Sequence, residues 1–320
     1  MEGATKTVDG TIAITDFTWY DTLRQLPDLE EVNFWKPSAA RAFHGAEFSP
    51  FLFKLRAPHN AICGLAFFAR YAPLPDWLAW ESFGAGNGAA TFRELQERIR
   101  TIRERIRFVG DPRSAEIGCI LLVQPVFFQP VDWVSAPSDW PVRTQSHIRY
   151  DLETGEGARI WRECLARQSE SVFYRRNGVS SVDESAAPRF GKPQIMHPRL
   201  GQGTFRIAVT EAYGRSCAVT GEHSLPALEA AHIRPYTEEG PHLTANGLLL
   251  RADCHRLFDQ GYMTITTDLR LQVGSRLRDD YANGRSYYPF QGRPIAVPKN
   301  PAERPSREFL EWHRANRYLG

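Results

Sequence analysis

Three side chains in the last third of the chain stand out by type and spacing. His232 lies in AAHIRPY (230–236), Asn246 opens NGLLL (246–250), and His255 lies in DCHRLFD (253–259), at separations of 14 and 9 residues. A histidine near neutral pH can move a proton or hold a metal, so two of them in one short segment suggest a reactive centre. A lone histidine is more often structural; the ordered set is what draws attention. His232 ends an apolar run read as a strand, and Asn246 precedes a second short strand. His255 begins a short helix over 253–260, with Asp259 one turn on, so those two side chains share a face. The unit reads strand, loop, strand, helix, with a histidine at each end.

This order of motifs resembles the HNH nucleases, the ββα-metal fold of homing endonucleases, colicin DNases, RNA-guided nucleases and restriction enzymes. The similarity covers about 60 residues, 203–265. It takes in the lead-in GQGTFR (201–206), CAVTG (217–221, read as a hairpin), AAHIRPY, NGLLL and DCHRLFDQGYMTI (253–265). The resemblance implies hydrolysis of DNA phosphodiester bonds with one divalent cation, Mg²⁺ or Mn²⁺. It makes His232 the general base. It has Asn246 orient that ring by a hydrogen bond, and His255 ligate the metal. In many relatives an Asp or His precedes the base and also binds metal; here Ala231 stands there. A second ligand must come from elsewhere, Asp259 first, with Asp253 and Glu229 as alternatives. Ala231 also leaves room for a degenerate module without catalysis, and a nicking or RNA-directed nuclease is a third reading. Relatives often carry CxxC zinc knuckles; only Cys217 and Cys254 stand here, read as small buried residues, so no structural zinc is expected. Arg234, Arg251 and Arg256 flank the site as candidate phosphate contacts, or as a solvated basic face. His223, His242 and His313 have no partner motif and are read as surface or core histidines.

The elements before this unit read as a separate domain. Strand-like runs occur at 11–14, 32–35, 51–55 and 62–71, and IGCILLVQPVFF (117–128) reads as a buried strand. Thr91 and Glu94 form a capping box before Phe92, Leu95, Ile99, Ile102 and Ile106 at helical spacing. Residues 167–203 are polar, with scattered Gly and Pro, and read as a linker. The expected fold class is α+β: a PUA-like β-barrel or sheet domain with helices (1–165), a linker (166–202), and a ββα-metal domain (203–320). The phenylalanine-rich strand followed by a glycine-containing one is similar to PUA-like domains of the EVE and ASCH type. It also resembles the N-terminal half of bacterial restriction endonucleases that end in an HNH domain. That resemblance implies a reader holding a modified or flipped base in an aromatic pocket. Trp35 is the first candidate, with Phe34, Lys36 and Asn33 beside it; Trp77, Trp80, Trp133, Trp140, Ser38 and Asn87 are further ones. Core packing is the competing reading for each aromatic.

Composition narrows the classes. The chain has 320 residues, 42% hydrophobic and 24% charged, enough for ordinary globular cores. It has no apolar run long enough to span a bilayer and no secretory signal pattern. Five scattered cysteines without a CxxC pair argue against a disulfide framework and fit a reducing cytoplasm. The net charge of +2 conceals an asymmetry: residues 1–160 carry 17 basic and 20 acidic side chains, residues 161–320 carry 22 and 17. The net positive half is the one with the histidines. The expected partner is double-stranded DNA, with a homodimer implied because one HNH site cuts one strand.

Overall fold

Alternation along 51–55 explains the first sheet. Phe51, Phe53 and Leu55 point to one face and Leu52 and Lys54 to the other, as a strand's period of two requires. The computed structural model describes residues 8–109, 116–144, 146–177 and 200–320. The chain divides into two units, Met1–Pro198 and Arg199–Gly320. The first contains β1 (Asp9–Thr15), α1 (Phe17–Arg24), β2 (Glu31–Lys36), β3 (Pro50–Leu55), β4 (Ala61–Leu74), α2 (Asp76–Phe83), α3 (Phe92–Arg105), β5 (Ile117–Phe127), β6 (Val134–Ser135), β7 (His147–Asp151) and α4 (Gly155–Asn177).

The strands form one sheet in the order β2-β5-β4-β3-β1-β7, with β6 paired to β4. β1 and β3 run parallel; the other pairings are antiparallel. β2 and β7 end the sheet, so among the described residues it stays open, and the barrel closure allowed for by the sequence does not occur. One face buries Trp19, Tyr20 and Leu23 of α1 with Phe51 and Phe53; the other buries Ile160 and Cys164 of α4 with Ile12 and Leu52. The cap of α3 forms: Thr91 Oγ1 accepts from Glu94 N at 3.2 Å, and Glu94 Oε2 accepts from Ala90 N at 2.8 Å. Helix α4 includes residues 166–177 of the stretch read as linker; residues 178–199 of it lie outside the described residues.

The second unit contains α5 (Gln202–Ala212), β8 (Leu228–His232), β9 (Gly247–Arg251), α6 (Ala252–Asp259), β10 (Met263–Ile265), β11 (Leu271–Val273), α7 (Arg276–Tyr281) and α8 (Arg307–Asn316). β8 and β9 pair antiparallel from Leu228 opposite Arg251 to His232 opposite Gly247, and α6 follows β9 without a break. CAVTG is a turn rather than a hairpin. Gly221 N donates to Cys217 O at 3.0 Å, and Ala218 N donates to Leu249 O at 2.7 Å, which fastens the turn to β9. The molecule is α+β. Among the described residues no helix is long and apolar enough to cross a membrane.

Candidate active site

The site begins at a close approach. A Cβ on Gly247 would lie 2.4 Å from Val209 Cγ2 and 3.1 Å from Phe205 Cζ, so only glycine lets α5 come this near β9. Phe205 thereby reaches His232, on the strand opposite, and the two rings stack at 3.8 Å and 13°. Burial, helped by nearby His242 and His255, pushes the His232 imidazole down to about 4, so the ring is neutral at physiological pH. Its Nε2 lies 2.9 Å from Nδ1 of His242. His242 in turn stacks on Tyr236 at 4.7 Å and 5°.

Asn246 is fully buried but does not bond to the His232 ring, contrary to the sequence expectation. Its Oδ1 accepts from Arg234 N at 2.9 Å, and its Nδ2 donates to Arg234 O at 2.9 Å and Pro241 O at 3.0 Å. Both amide hydrogens and an oxygen lone pair serve backbone groups at the two ends of the 234–241 loop. The side chain is a clamp for that loop.

His255 sits between two carboxylates. Its Nδ1 is 2.7 Å from Glu229 Oε2 on β8, and its Nε2 is 3.3 Å from Asp259 Oδ2 one turn along α6. Burial raises the Asp259 carboxyl above its usual range, against the pull of His255 and Arg317. Asp253 is engaged elsewhere: Arg251 holds both its oxygens at 2.7 Å, Tyr287 donates to it at 3.0 Å, and its carboxyl falls to about 2. Of the three carboxylates considered from sequence, Asp259 and Glu229 meet His255 and Asp253 does not.

The donor set suits a small cation. With Nδ1–H donating to Glu229, Nε2 turns its lone pair toward the Asp259 carboxylate. Two acceptors then face each other at 3.3 Å, which a proton or a cation between them would relieve. That separation is close to the roughly 3 Å between adjacent ligands on a Mg²⁺-sized ion. Among the described residues no group of three or more His, Cys, Asp or Glu could hold a metal. Two protein donors, with water and phosphate completing the shell, is a common arrangement for Mg²⁺.

His232, His255 and Asp259 line one cleft of about 360 Å³, together with Gln202 of α5 and His313 and Arg317 from the C-terminal segment. Arg256 is exposed on α6. Arg234 is drawn into its own loop, donating to Glu238 O at 2.6 Å and lying over Trp312 at 5.7 Å. Cys217 and Cys254 are buried; the Cys254 thiol hydrogen-bonds to Cys217 and, against burial, brings that thiol down to about 5. The sequence reading took His242 for a surface or core histidine, singled out no residue of the GQGTFR lead-in such as Gln202, and did not name Arg317, which lies outside the recognised motifs.

In the first unit the four β2 candidates are adjacent but face different ways. Phe34 packs edge-on against Trp19 (5.3 Å) and Phe51 (5.2 Å), which makes it part of the aromatic core. Asn33 is buried on the opposite face, where Nδ2 donates to Asn87 Oδ1 at 2.9 Å and to Cys119 Sγ at 3.3 Å. Trp35 is half-buried and donates from Nε1 to Asn87 O at 3.0 Å. Lys36 donates to Arg41 O and lies over the Tyr71 ring at 5.2 Å.

An antiparallel ribbon runs directly into a helix, with histidines from both lining one cleft, in the strand, strand, helix order expected from the sequence. In agreement, residues 217–266 match the model of the family described as HNH endonuclease, and the second unit carries that domain. Among solved structures the chain is similar to ASCH from Zymomonas mobilis (10% identity, TM-score 0.33, covering 49% of this chain and 94% of that one). A mutant of the same protein gives 10% identity and a TM-score of 0.32, covering 47% and 94%. A structure described as the modification dependent TagI restriction endonuclease is similar at 13% identity and a TM-score of 0.27, covering 97% of this chain and 81% of that one. The search of curated proteins found no match.

Proposed function

We propose that the chain is a DNA endonuclease that hydrolyses phosphodiester bonds in the cleft between His232 and His255, as a one-metal HNH enzyme. The observation that carries this reading is a neutral histidine and a histidine–carboxylate pair lining the same cleft. His232 accepts the proton of the attacking water. Its low proton affinity keeps it in the basic form at physiological pH, at some loss of strength as a base. Phe205 holds the plane of its ring. His255 and Asp259 would hold Mg²⁺ or Mn²⁺, which when bound neutralises charge on the scissile phosphate and the leaving 3′ oxygen. Glu229 fixes the tautomer of His255 so that Nε2 is the free donor. Arg256, exposed on α6, and Arg317, which lines the cleft, would meet backbone phosphates.

Incubation of the purified protein with DNA and Mg²⁺ or Mn²⁺ tests this. Cleavage that stops with EDTA and in His232→Ala supports it; full activity of that variant overturns it. The finer reading is a modification-dependent restriction enzyme that acts against foreign DNA, with the first unit as reader and Trp35 and Lys36 as its contacts. Support for it comes from the pairing of a nuclease unit with a separate, aromatic-rich sheet unit. Equal cutting of modified and unmodified DNA would dispose of it. One centre cuts one strand, so double-strand breaks require two copies, and sedimentation on DNA would reveal the dimer.

A further inference from the structure

We infer that His242, not Asn246, sets the tautomer of the His232 imidazole and so decides which of its nitrogens can take a proton. The inference rests on the reading of His232 as general base. The Nε2 of His232 and the Nδ1 of His242 are 2.9 Å apart, and a hydrogen bond there needs one nitrogen to donate and the other to accept. The side chain of Asn246 is committed to the backbone of Arg234 and Pro241. His232 lines the cleft; His242 is not among the described residues that do. Nδ1 of His232 hydrogen-bonds to none of the described residues, so it is the nitrogen left for water.

The direction of the bond follows. For Nδ1 to accept a proton, the single ring hydrogen must sit on Nε2, where it is donated to Nδ1 of His242. In the opposite arrangement His242 donates, His232 carries its hydrogen on Nδ1, and neither nitrogen keeps a lone pair free to take a proton. His242 is held for this task from two sides. Its ring stacks on Tyr236, and it follows Pro241, whose carbonyl Asn246 clamps. Asn246 therefore acts at one remove: it holds the loop, and the loop holds the acceptor. His242 is a positioning residue.

Two substitutions separate this role from simple packing. His242→Asn places Oδ1 near the position of Nδ1 and keeps an acceptor while losing the ring. His242→Phe keeps a ring for Tyr236 and loses the acceptor. The expected result on DNA with Mg²⁺ is a kcat reduced roughly 100-fold in His242→Phe with KM unchanged, a loss of the size that removing a site histidine's hydrogen-bond partner produces. His242→Asn should recover most of that rate. The reverse ranking, Phe active and Asn impaired, overturns the inference. A readout independent of catalysis is ¹⁵N–¹H NMR of the full chain with labelled histidine at neutral pH. Hydrogen on Nε2 of His232 supports the inference, and hydrogen on Nδ1 overturns it. If the unaltered protein cuts no DNA, the nuclease reading falls, and the NMR result still decides the tautomer.

Discussion

The cleft end of β8 and the packed side of α8 each hold a histidine in nearly the same surroundings. His232 lies on Phe205 at 3.8 Å and His313 on Phe258 at 3.7 Å, both pairs close to parallel. Burial pushes both rings down to about 4. The nitrogens differ. His313 donates from Nε2 to Phe258 O at 3.1 Å and accepts at Nδ1 from the Thr264 hydroxyl at 2.9 Å. His232 commits Nε2 to His242 and leaves Nδ1 without a protein partner among the described residues. Burial and a low pKa are thus common to a structural histidine and to the proposed base. Both line the cleft, and an uncommitted nitrogen is what separates them.

The largest effect should come from the reactive member. His232→Ala is expected to lower the cleavage rate by roughly 10²–10⁴-fold with little change in unfolding; gel assays and urea denaturation together measure both. A dead but also unfolded variant would erase the contrast.

For the structural member the expected effect is on stability and on its pH dependence. Below pH 6.5 the unfolded chain takes up a proton on this histidine that the folded chain refuses until about pH 4. The unfolded state then binds more protons, so stability falls as pH drops through that window, by up to about 3 kcal/mol from this one group. Denaturant unfolding at a series of pH values should show the decline, and His313→Leu should remove the part this ring supplies, leaving that of His232, while cleavage persists. An inactive but stable His313→Leu would place this ring among the working residues.

The intermediate case is His255, with one nitrogen on Glu229 and the other facing Asp259. Asp259→Asn should weaken Mg²⁺ or Mn²⁺ binding by roughly 10-fold in calorimetry, and Asp253→Asn should leave it unchanged. Equal effects of the two would show that the pairing at His255 has no bearing on the ion.

The sequence carried part of this. His232, Asn246 and His255 were legible because strand, strand and helix put them at fixed spacings, and the structure brings the two histidines to one cleft. Ala231 directed attention to other carboxylates, and two of the three considered, Asp259 and Glu229, lie beside His255. What Asn246 bonds was not legible, since an amide can serve a ring or a loop equally well and only the path of 234–241 decides. The contact of His242, read as a surface or core histidine, was not legible for the same reason: it sits on irregular backbone with no period to mark it. The strands of the first unit followed from alternation. The role of its aromatics did not, because Phe34 on a strand reads alike whether it faces a core or a pocket.

The contact that Gly247 permits reaches beyond the site. The segment matching the HNH family begins at residue 217 and ends at 266, yet Phe205 stands before it and Arg317 after it. The transplantable module is therefore wider than its signature. A fragment cut at the signature's edges would carry the three motif residues to a new host but leave His232 without the ring that shields it from solvent. Its imidazole would drift back toward an ordinary surface histidine. Exchange of this nuclease between partners, in a laboratory or over evolutionary time, has to move α5 and the C-terminal segment with it.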